Sequence, residues 1–422
     1  MRKVLLVNPW IYDFAAHDYG IKPIGLLRIG EALRRDGSRV YLVDCLENCG
    51  RSKDEFGFSK IRKENVDKPD TIKDIKRPYF RYGISIEEFK NKLNALKDID
   101  EIFVTSGMTY WYPGVQLTIK SLREYFKDIK ITLGGIYATL SPRHASLHSG
   151  ADIIWEKDYL ERDYFFKKGF YPAYDLLFER NMLPIQLTQG CPFRCSYCAS
   201  RMISGGFMLK DPVDLFEEVM HYHNTFGTDK FVFYDDALIY KSGIGIKKFL
   251  RMVIASGRKL TFHTPNGLHA RFIDEDLAHL FKHANFKELR LSLETSDEDL
   301  QFFTGAKVTN VDLKRAIRNL REAGFNKSDL GVYILIGANW LNIDKTMKDI
   351  LFINSLGVKV VLASYSSIPG TMDYKNMLKN NTLKKDTDPL WHNKAIFSEL
   401  LEPRSSENIQ KIRRFTSKLN KA

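Results

Sequence analysis

Short apolar runs alternate with amphipathic stretches along most of the chain. Residues 4–8 read as a buried strand, and 24–35 have the spacing of a helix, entered at Pro23 and stopped at Asp36-Gly37. Residues 40–43, 102–105 and 129–133 read as further strands, with helices predicted over 85–96 and 115–126. Ser85-Ile86-Glu87-Glu88 has the form of a capping box, in which the Ser85 hydroxyl accepts from the Glu88 amide and the Glu88 carboxylate reaches back. Strands alternating with helices predict a doubly wound parallel sheet over residues 1–154, covered on both faces. Such sheets bind ligands beyond the carboxyl ends of their strands. Residues 46–84 break the pattern with charges and with Lys68-Pro69-Asp70 and Arg77-Pro78, and read as a surface insertion.

A linker rich in Tyr, Phe and charges covers 155–182. The alternation then resumes, with strands predicted at 184–188, 230–234, 259–263, 288–293, 332–336 and 359–365. Asp211-Pro212 opens one intervening helix as N-cap and first-turn proline. Six strand–helix units over 183–371 predict a partial, open (β/α)6 barrel, a fold whose chemistry lies at the carboxyl ends of its strands. Residues 372–422 read as a helical, basic carboxyl-terminal region.

Composition narrows the class. The 422 residues are 44% hydrophobic and 27% charged, which excludes wholesale disorder and collagen-like chains. No apolar run reaches the ~18 residues of a membrane helix. The opening apolar stretch stops at Asn8, short of a signal-peptide core, so a first strand is expected there. The five cysteines, Cys45, Cys49, Cys191, Cys195 and Cys198, are too few and too odd in number for a disulfide framework. Reduced thiols and a cytoplasmic setting follow as the expectation.

Three of those cysteines lie in Gly190-Cys191-Pro192-Phe193-Arg194-Cys195-Ser196-Tyr197-Cys198, just after a predicted strand at the head of the barrel. A C-x3-C-x2-C spacing lets one loop wrap a small inorganic core. A fully ligated [4Fe–4S] cluster takes four thiolates, so three would leave one iron open to a ligand. Zinc would also need a fourth ligand, and no Cys or His lies close after Cys198.

This segment, and residues 183–371 around it, resemble the radical S-adenosylmethionine (SAM) superfamily. The resemblance implies that Cys191, Cys195 and Cys198 hold a [4Fe–4S] cluster whose open iron is chelated by SAM. An electron from the cluster then cleaves SAM to methionine and a 5′-deoxyadenosyl radical. Such a cluster calls for reducing, anaerobic surroundings and a small electron donor such as a flavodoxin or ferredoxin. Tyr197 occupies the aromatic position that packs near the SAM adenine in the family. Asp235 and Asp236 stand at the end of the second strand, where relatives use a Gly-Gly-Glu segment against the SAM amino group. Ser292 and Glu294 end the fourth strand and, on strict alternation, point the same way toward ribose or methionine groups. Gly337 ends the fifth strand, where the family brings backbone against adenine. Pro265-Asn266-Gly267, His263, His269 and Arg271 lie near the third strand end, and 367–371 closes the sixth. Structural roles compete with catalytic ones for this last group.

An α/β domain ahead of such a barrel resembles the cobalamin-binding class of the superfamily. Ser106-Gly107-Met108 resembles its Ser-x-Leu element, and Gly134-Gly135 its Gly-Gly element; both line the slot for the cobalamin nucleotide tail. His17 and Gly20 match part of an Asp-x-His-x-x-Gly motif, but Ala15 replaces the aspartate that would orient the imidazole, so a plain loop histidine is expected. Thr109-Tyr110-Trp111-Tyr112 packs on a corrin ring, on a substrate or simply within its loop. Cys45 and Cys49 are too few for a second cluster and read as bystander thiols.

Lys and Arg exceed Asp and Glu by 64 to 52, a formal charge of +12. No aromatic-basic motif points to nucleic acid. The tail 411–419 has the pattern of a basic amphipathic helix, to be packed on the barrel or laid on a membrane surface. The leading functional expectation is a cobalamin-dependent radical SAM C-methyltransferase acting on an unactivated carbon of an organic substrate. The alternatives are a radical SAM enzyme without cobalamin, performing carbon–carbon coupling, rearrangement or oxidation, and a non-catalytic iron–sulfur or corrinoid carrier or sensor.

Overall fold

The computed structural model describes all residues except 18–19, 21, 48–59, 157–161, 339–340, 402–404 and 422. The chain forms two units: Met1–Met182 with Asp386–Asn393, and Leu183–Lys385 with Lys394–Ala422.

In the first unit five parallel strands, Lys3–Asn8, Arg39–Asp44, Glu101–Val104, Lys130–Leu133 and Ile153–Ile154, pair in the order second, first, third, fourth, fifth. The order reverses beside the first strand, which puts the ligand crevice of this topology between the first and third strand ends. Val4, Leu5, Leu6 and Val7 are wholly buried because both faces of the central strand are covered. The capping box at Ser85 forms, with both reciprocal hydrogen bonds, and opens the helix Ile86–Asn94. The helix Tyr112–Tyr125 begins three residues ahead of the expected start. Pro113 suits its first turn, and Gly114 sits against the Trp10 carbonyl where no side chain fits.

The region read as a surface insertion carries structure. Lys63–Val66 and Tyr79–Tyr82 join Ile11–Asp13 in an antiparallel sheet with Tyr79–Tyr82 in the middle. Tyr79 and Tyr82 are buried there. The segment Asp386–Asn393 also belongs to this unit. Asp388 accepts from the Tyr112 hydroxyl at 3.1 Å, His392 Nδ1 lies 3.1 Å from Thr109 Oγ1, and the Asn393 amide donates to Asp13 at 2.9 Å.

The second unit holds six parallel strands, Met182–Ile185, Lys230–Phe233, Thr261–His263, Leu289–Glu294, Leu330–Ile336 and Lys359–Ser364, hydrogen-bonded in two four-stranded arcs. Glu288, at φ 50°, kinks the chain between the arcs: Phe286–Lys287 pairs with the third strand and Leu289–Glu294 with the fifth. The sixth strand is an open edge, and its exposed backbone is covered by the carboxyl-terminal helix Ser405–Lys421. The Asn420 amide bonds both the N–H and the C=O of Val360, each at 2.9 Å. Ile412 and Thr416 are buried on one face of this helix, the packed alternative for the basic tail. Among the described residues no helix is long and apolar enough to cross a membrane.

Candidate active site at the mouth of the barrel

The first barrel strand turns sharply at Gly190, at φ 72°; a side chain there would meet the carbonyls of Gly205 and Gly206 at 2.7 and 2.5 Å. The turn opens directly into the cysteine loop. Cys191 is buried, Cys195 partly so and Cys198 exposed, and all three are free thiols. The loop is pinned from two sides: the Ser196 amide donates to Thr304 O at 3.2 Å, and the Asp373 amide donates to Ser196 O at 3.0 Å. Gly305, at φ 118°, lets its loop press within side-chain distance of the Cys195 backbone.

The thiols feel one another. Burial pushes the Cys191 thiol up to about 11, with Cys198 and Cys195 adding as like charges. Burial likewise raises Cys195, while Lys307 pulls it down. Anionic sulfur in this loop therefore calls for a cationic partner. Among the described residues no three Cys, His, Asp or Glu side chains converge on a single-ion site. The three thiols lie on one loop, close enough to repel as thiolates, and supply three of the four thiolates of a fully ligated [4Fe–4S] cluster.

Several flanking groups face this loop. Tyr197 is hydrogen-bonded to Cys195 and packs on the core around Leu335, Tyr365 and Phe397. Ser200 lies 3.2 Å from Cys198 Sγ and donates to Asp236 Oδ1 at 3.0 Å, which links the second strand end to the cysteines. Burial holds Asp236 above the usual carboxylate range, against the pull of Ser200 and Ser204. Glu294 and Lys307 form an ion pair at 2.7 Å, each side chain 14% exposed. Burial works against the Lys307 charge, but Glu294 and then Cys195 outweigh it and hold the ammonium above its ordinary value. His269 stacks on Phe193 of the cysteine loop with ring centroids 4.8 Å apart, and burial lowers its imidazole to about 3, so it is neutral. Arg271 donates to Ala306 O at 2.7 Å and braces the loop that carries Lys307.

Other expected residues do different work. One oxygen of Asp235 accepts from the Leu187 amide at 3.0 Å, the Thr188 hydroxyl at 2.8 Å and the Thr188 amide. It ties the second strand to the first, and burial lifts it to about 7. Ser292 and Glu294 do not share a face by simple alternation. The register slips between them, pairing them with the consecutive residues Tyr333 and Ile334, and Glu294 sits at φ 73°. Ser292 is buried against Gly267. Gly337 sits at φ 77°, a left-handed backbone that favours glycine, beside Ser398 and Ile409 of the carboxyl-terminal helices. Asn266 donates to Tyr234 O and Asp235 O and joins the third strand end to the second.

In the first unit Ser106, Gly134 and Gly135 do meet at the third and fourth strand ends. Ser106 Oγ donates to Gly134 O at 2.7 Å and accepts from the Tyr137 amide at 3.1 Å. A side chain on Gly135, at φ 87°, would meet Ser106, whereas one on Gly134 would touch only Trp155, at 3.9 Å. The glycines suit a thin group sliding past, but the serine hydroxyl is already engaged by the loop that follows the fourth strand. Trp111 Nε1 donates to the buried Asp13 at 2.8 Å, a loop-packing role. His17 is exposed and Cys45 is fully buried, its thiol raised by burial; Cys49 lies outside the described residues.

Residues 185–350 match the family model of the radical SAM superfamily, so the chain carries a radical SAM domain. It is 27% identical over 173 residues to the anaerobic magnesium-protoporphyrin IX monomethyl ester cyclase of Synechocystis sp., a match spanning 41% of this chain and 32% of the cyclase. The fold of the whole chain is similar to that of the radical SAM methyltransferase TsrM from Kitasatospora setae, solved with cobalamin and a [4Fe–4S] cluster: TM-score 0.65, 14% identity, 94% of this chain and 85% of that one. It is also similar to the cobalamin-dependent radical SAM enzyme OxsB, with TM-score 0.56, 12% identity, 97% of this chain and 56% of that one.

Lys307 and Ser200 were missed from sequence. A single lysine in a basic chain carries no signal, although a glutamate ending a buried strand asks for a cation.

Proposed function

We propose that the chain cleaves SAM reductively at a [4Fe–4S] cluster held by Cys191, Cys195 and Cys198. The observation that carries this is the joining of that loop to two opposite charges, the Asp236 carboxylate through Ser200 and the Lys307 ammonium beside Cys195. The amine and carboxylate with which SAM would chelate the open iron match the pair, the amine hydrogen-bonded to Asp236 and the carboxylate to Lys307. A cluster bound there supplies the electron that converts SAM to methionine and a 5′-deoxyadenosyl radical. Tyr197 is hydrogen-bonded to Cys195, Asp235 fixes the first strand relative to the second, and Glu294 holds the Lys307 ammonium in place. A small low-potential carrier such as a flavodoxin or ferredoxin supplies the electron.

The net reaction we favour is cobalamin-dependent methylation of an unactivated carbon. Its support is the similarity of fold to TsrM and OxsB, which extends over the first unit. Ser106, Gly134 and Gly135 would border the nucleotide tail, with the Ser106 hydroxyl exchanging an internal hydrogen bond for one to the tail. That same internal engagement favours, as second reading, a radical SAM enzyme without cobalamin. Anaerobic purification from cobalamin-supplied cells decides between them. A bound corrinoid spectrum supports methylation; iron and sulfide without corrinoid sink it. Incubation with SAM and dithionite tests the enzyme itself: absence of 5′-deoxyadenosine would leave only a carrier or sensor.

A further inference from the structure

Much of the chain's basic surplus is gathered on one flank of the second unit. Residues 411–421 hold five Lys and Arg and no Asp or Glu. The helix Ser405–Lys421 turns its apolar side to the barrel, where Ile412 and Thr416 are buried. Lys411, Arg414, Lys418 and Lys421, spaced by three and four, share the outward side and are exposed. Two neighbouring helices continue this surface. Ile343–Ser355 packs beside Ser405–Lys421 and presents Lys348 and Leu351, the latter 51% exposed. Asn310–Glu322 presents Lys314, Arg318 and Arg321 along one stripe. A groove of about 440 Å³ is lined by these three cations and by Ser355 and Leu356 at the end of the adjoining helix. None of these cations forms an ion pair with a described residue, whereas Arg315 and Lys345 nearby are paired with Asp312 and Asp297. Among the described residues, the exposed acids of the three helices are Glu322, Asp344 and Glu407, too few to neutralise the face.

The face reaches the end of the barrel away from the cysteines. Asn420 bonds Val360 near the start of the sixth strand, and Arg413 donates to Ser364 Oγ at its end. The helix therefore runs against the strand, and Lys418 and Lys421 stand at the amino-terminal rim. Arg321 reaches the same rim, on the carbonyls of Leu356 and Gly357 at 2.7 and 2.9 Å. The cysteine loop follows the carboxyl end of the first strand, at the opposite rim.

We propose that this three-helix flank is a docking surface for an anionic phospholipid bilayer. Charge complementarity selects the occupant. Cations spread over three packed helices, with axes about 8–10 Å apart, match a continuous sheet of phosphate headgroups and exceed the span of one small anion. Nucleic acid would call for aromatic platforms. The rings of these helices, Phe352 and Phe415, are half-buried, and Lys314 lies over Phe352. Leu351 supplies an apolar foot among the charges, and the groove receives a headgroup. Docking on this flank leaves the cysteine-bearing rim unobstructed.

Sedimentation with vesicles tests this, using the full chain purified anaerobically. Phosphatidylcholine vesicles are compared with vesicles containing about one-third phosphatidylglycerol. The chain sediments with the anionic vesicles, stays in solution with the neutral ones, and is released at about 1 M salt, where the screening length falls to about 3 Å. Each Lys or Arg near an anionic bilayer strengthens binding roughly fivefold. Lys418→Gln with Lys421→Gln therefore weakens binding roughly twenty-five-fold, and so does Lys314→Gln with Arg318→Gln. Lys120→Gln with Lys127→Gln, at exposed positions of the first unit, leaves it unchanged. Equal binding to neutral vesicles, no binding to either kind, or an equal loss in the control pair overturns the proposal. Tighter binding to single-stranded RNA than to anionic vesicles overturns the bilayer as occupant. If one pair on the flank does not fold, the other decides, since the two lie on different helices.

Discussion

The mouth of the barrel and the strand ends of the first unit are both carboxyl-edge sites of parallel sheets, yet they spend their polar groups differently. Around the cysteine loop, charge is buried, paired and joined to the thiols: Lys307 with Glu294, Asp236 through Ser200. In the first unit, Ser106 closes on Gly134 and Tyr137, and Asp13 is filled by Trp111 and Asn393. The first site keeps paired charges beside three thiols. The second is satisfied by its own chain. The contrast explains why the cluster assignment rests on geometry, while cobalamin rests on similarity of fold.

The largest expected effect breaks the contrast outright. Replacing Cys191, Cys195 or Cys198 by Ala removes cluster iron and drops 5′-deoxyadenosine formation to background, whereas Cys45→Ala in the first unit leaves both unchanged. Iron, sulfide and product assays check this. Persistent cleavage in all three mutants would falsify the cluster assignment. Next, Lys307→Met strands Glu294 and destabilises by about 3–5 kcal/mol, the usual result of breaking a buried pair. The double variant with Glu294→Gln recovers much of that loss in urea unfolding, while cleavage stays impaired in both. In the first unit, Gly135→Ala forces a side chain toward Ser106 at a left-handed φ and costs about 1–3 kcal/mol. If the slot holds cobalamin, corrinoid retention falls with it.

A pH series sharpens the comparison further. Asp235 is lifted by burial to about 7, so the folded chain keeps a proton that the unfolded chain releases near pH 4. Its contribution to stability is complete below pH 4 and is lost as pH rises from about 4 to 7. Asp235→Asn should flatten this part of the urea-midpoint profile; a slope equal to the wild type would show that Asp235 is not the group responsible. The smallest effect is at the barrel edge. Asn420→Ala uncaps Val360 and costs about 1–2 kcal/mol without touching cleavage.

Much of the scaffold was legible. The six barrel strands and four of the five in the first sheet came from short apolar runs, because parallel strands covered on both faces need nearly continuous apolar sequence; the two-residue strand Ile153–Ile154 was too short to read. Cys191, Cys195 and Cys198 drew attention by their spacing, and the structure places them as free thiols on one loop beyond the first barrel strand. What escaped depends on tertiary neighbours. Alternation placed Ser292 and Glu294 together, but a register slip hidden between them separates their pairing. Tyr79–Tyr82 looked like part of a loop because Phe80 and Arg81 interrupt any simple pattern, and pairing with Ile11–Asp13 on one side and Lys63–Val66 on the other makes it a strand. Gly337 drew attention as backbone for a ligand, yet what the structure shows there is a left-handed φ of 77° packed beside Ile409, 72 residues later in sequence.

The return of Asp386–Asn393 to the first unit bears on how the protein is made. The first sheet is translated early, but Asp13, Thr109 and Tyr112 must wait for Asn393, His392 and Asp388, which leave the ribosome only after nearly the whole barrel. The domain begun first is finished almost last. A fragment cut at residue 182 would lack those partners, and the exposed aromatic strand ends of the nascent chain are where a chaperone would be expected to bind.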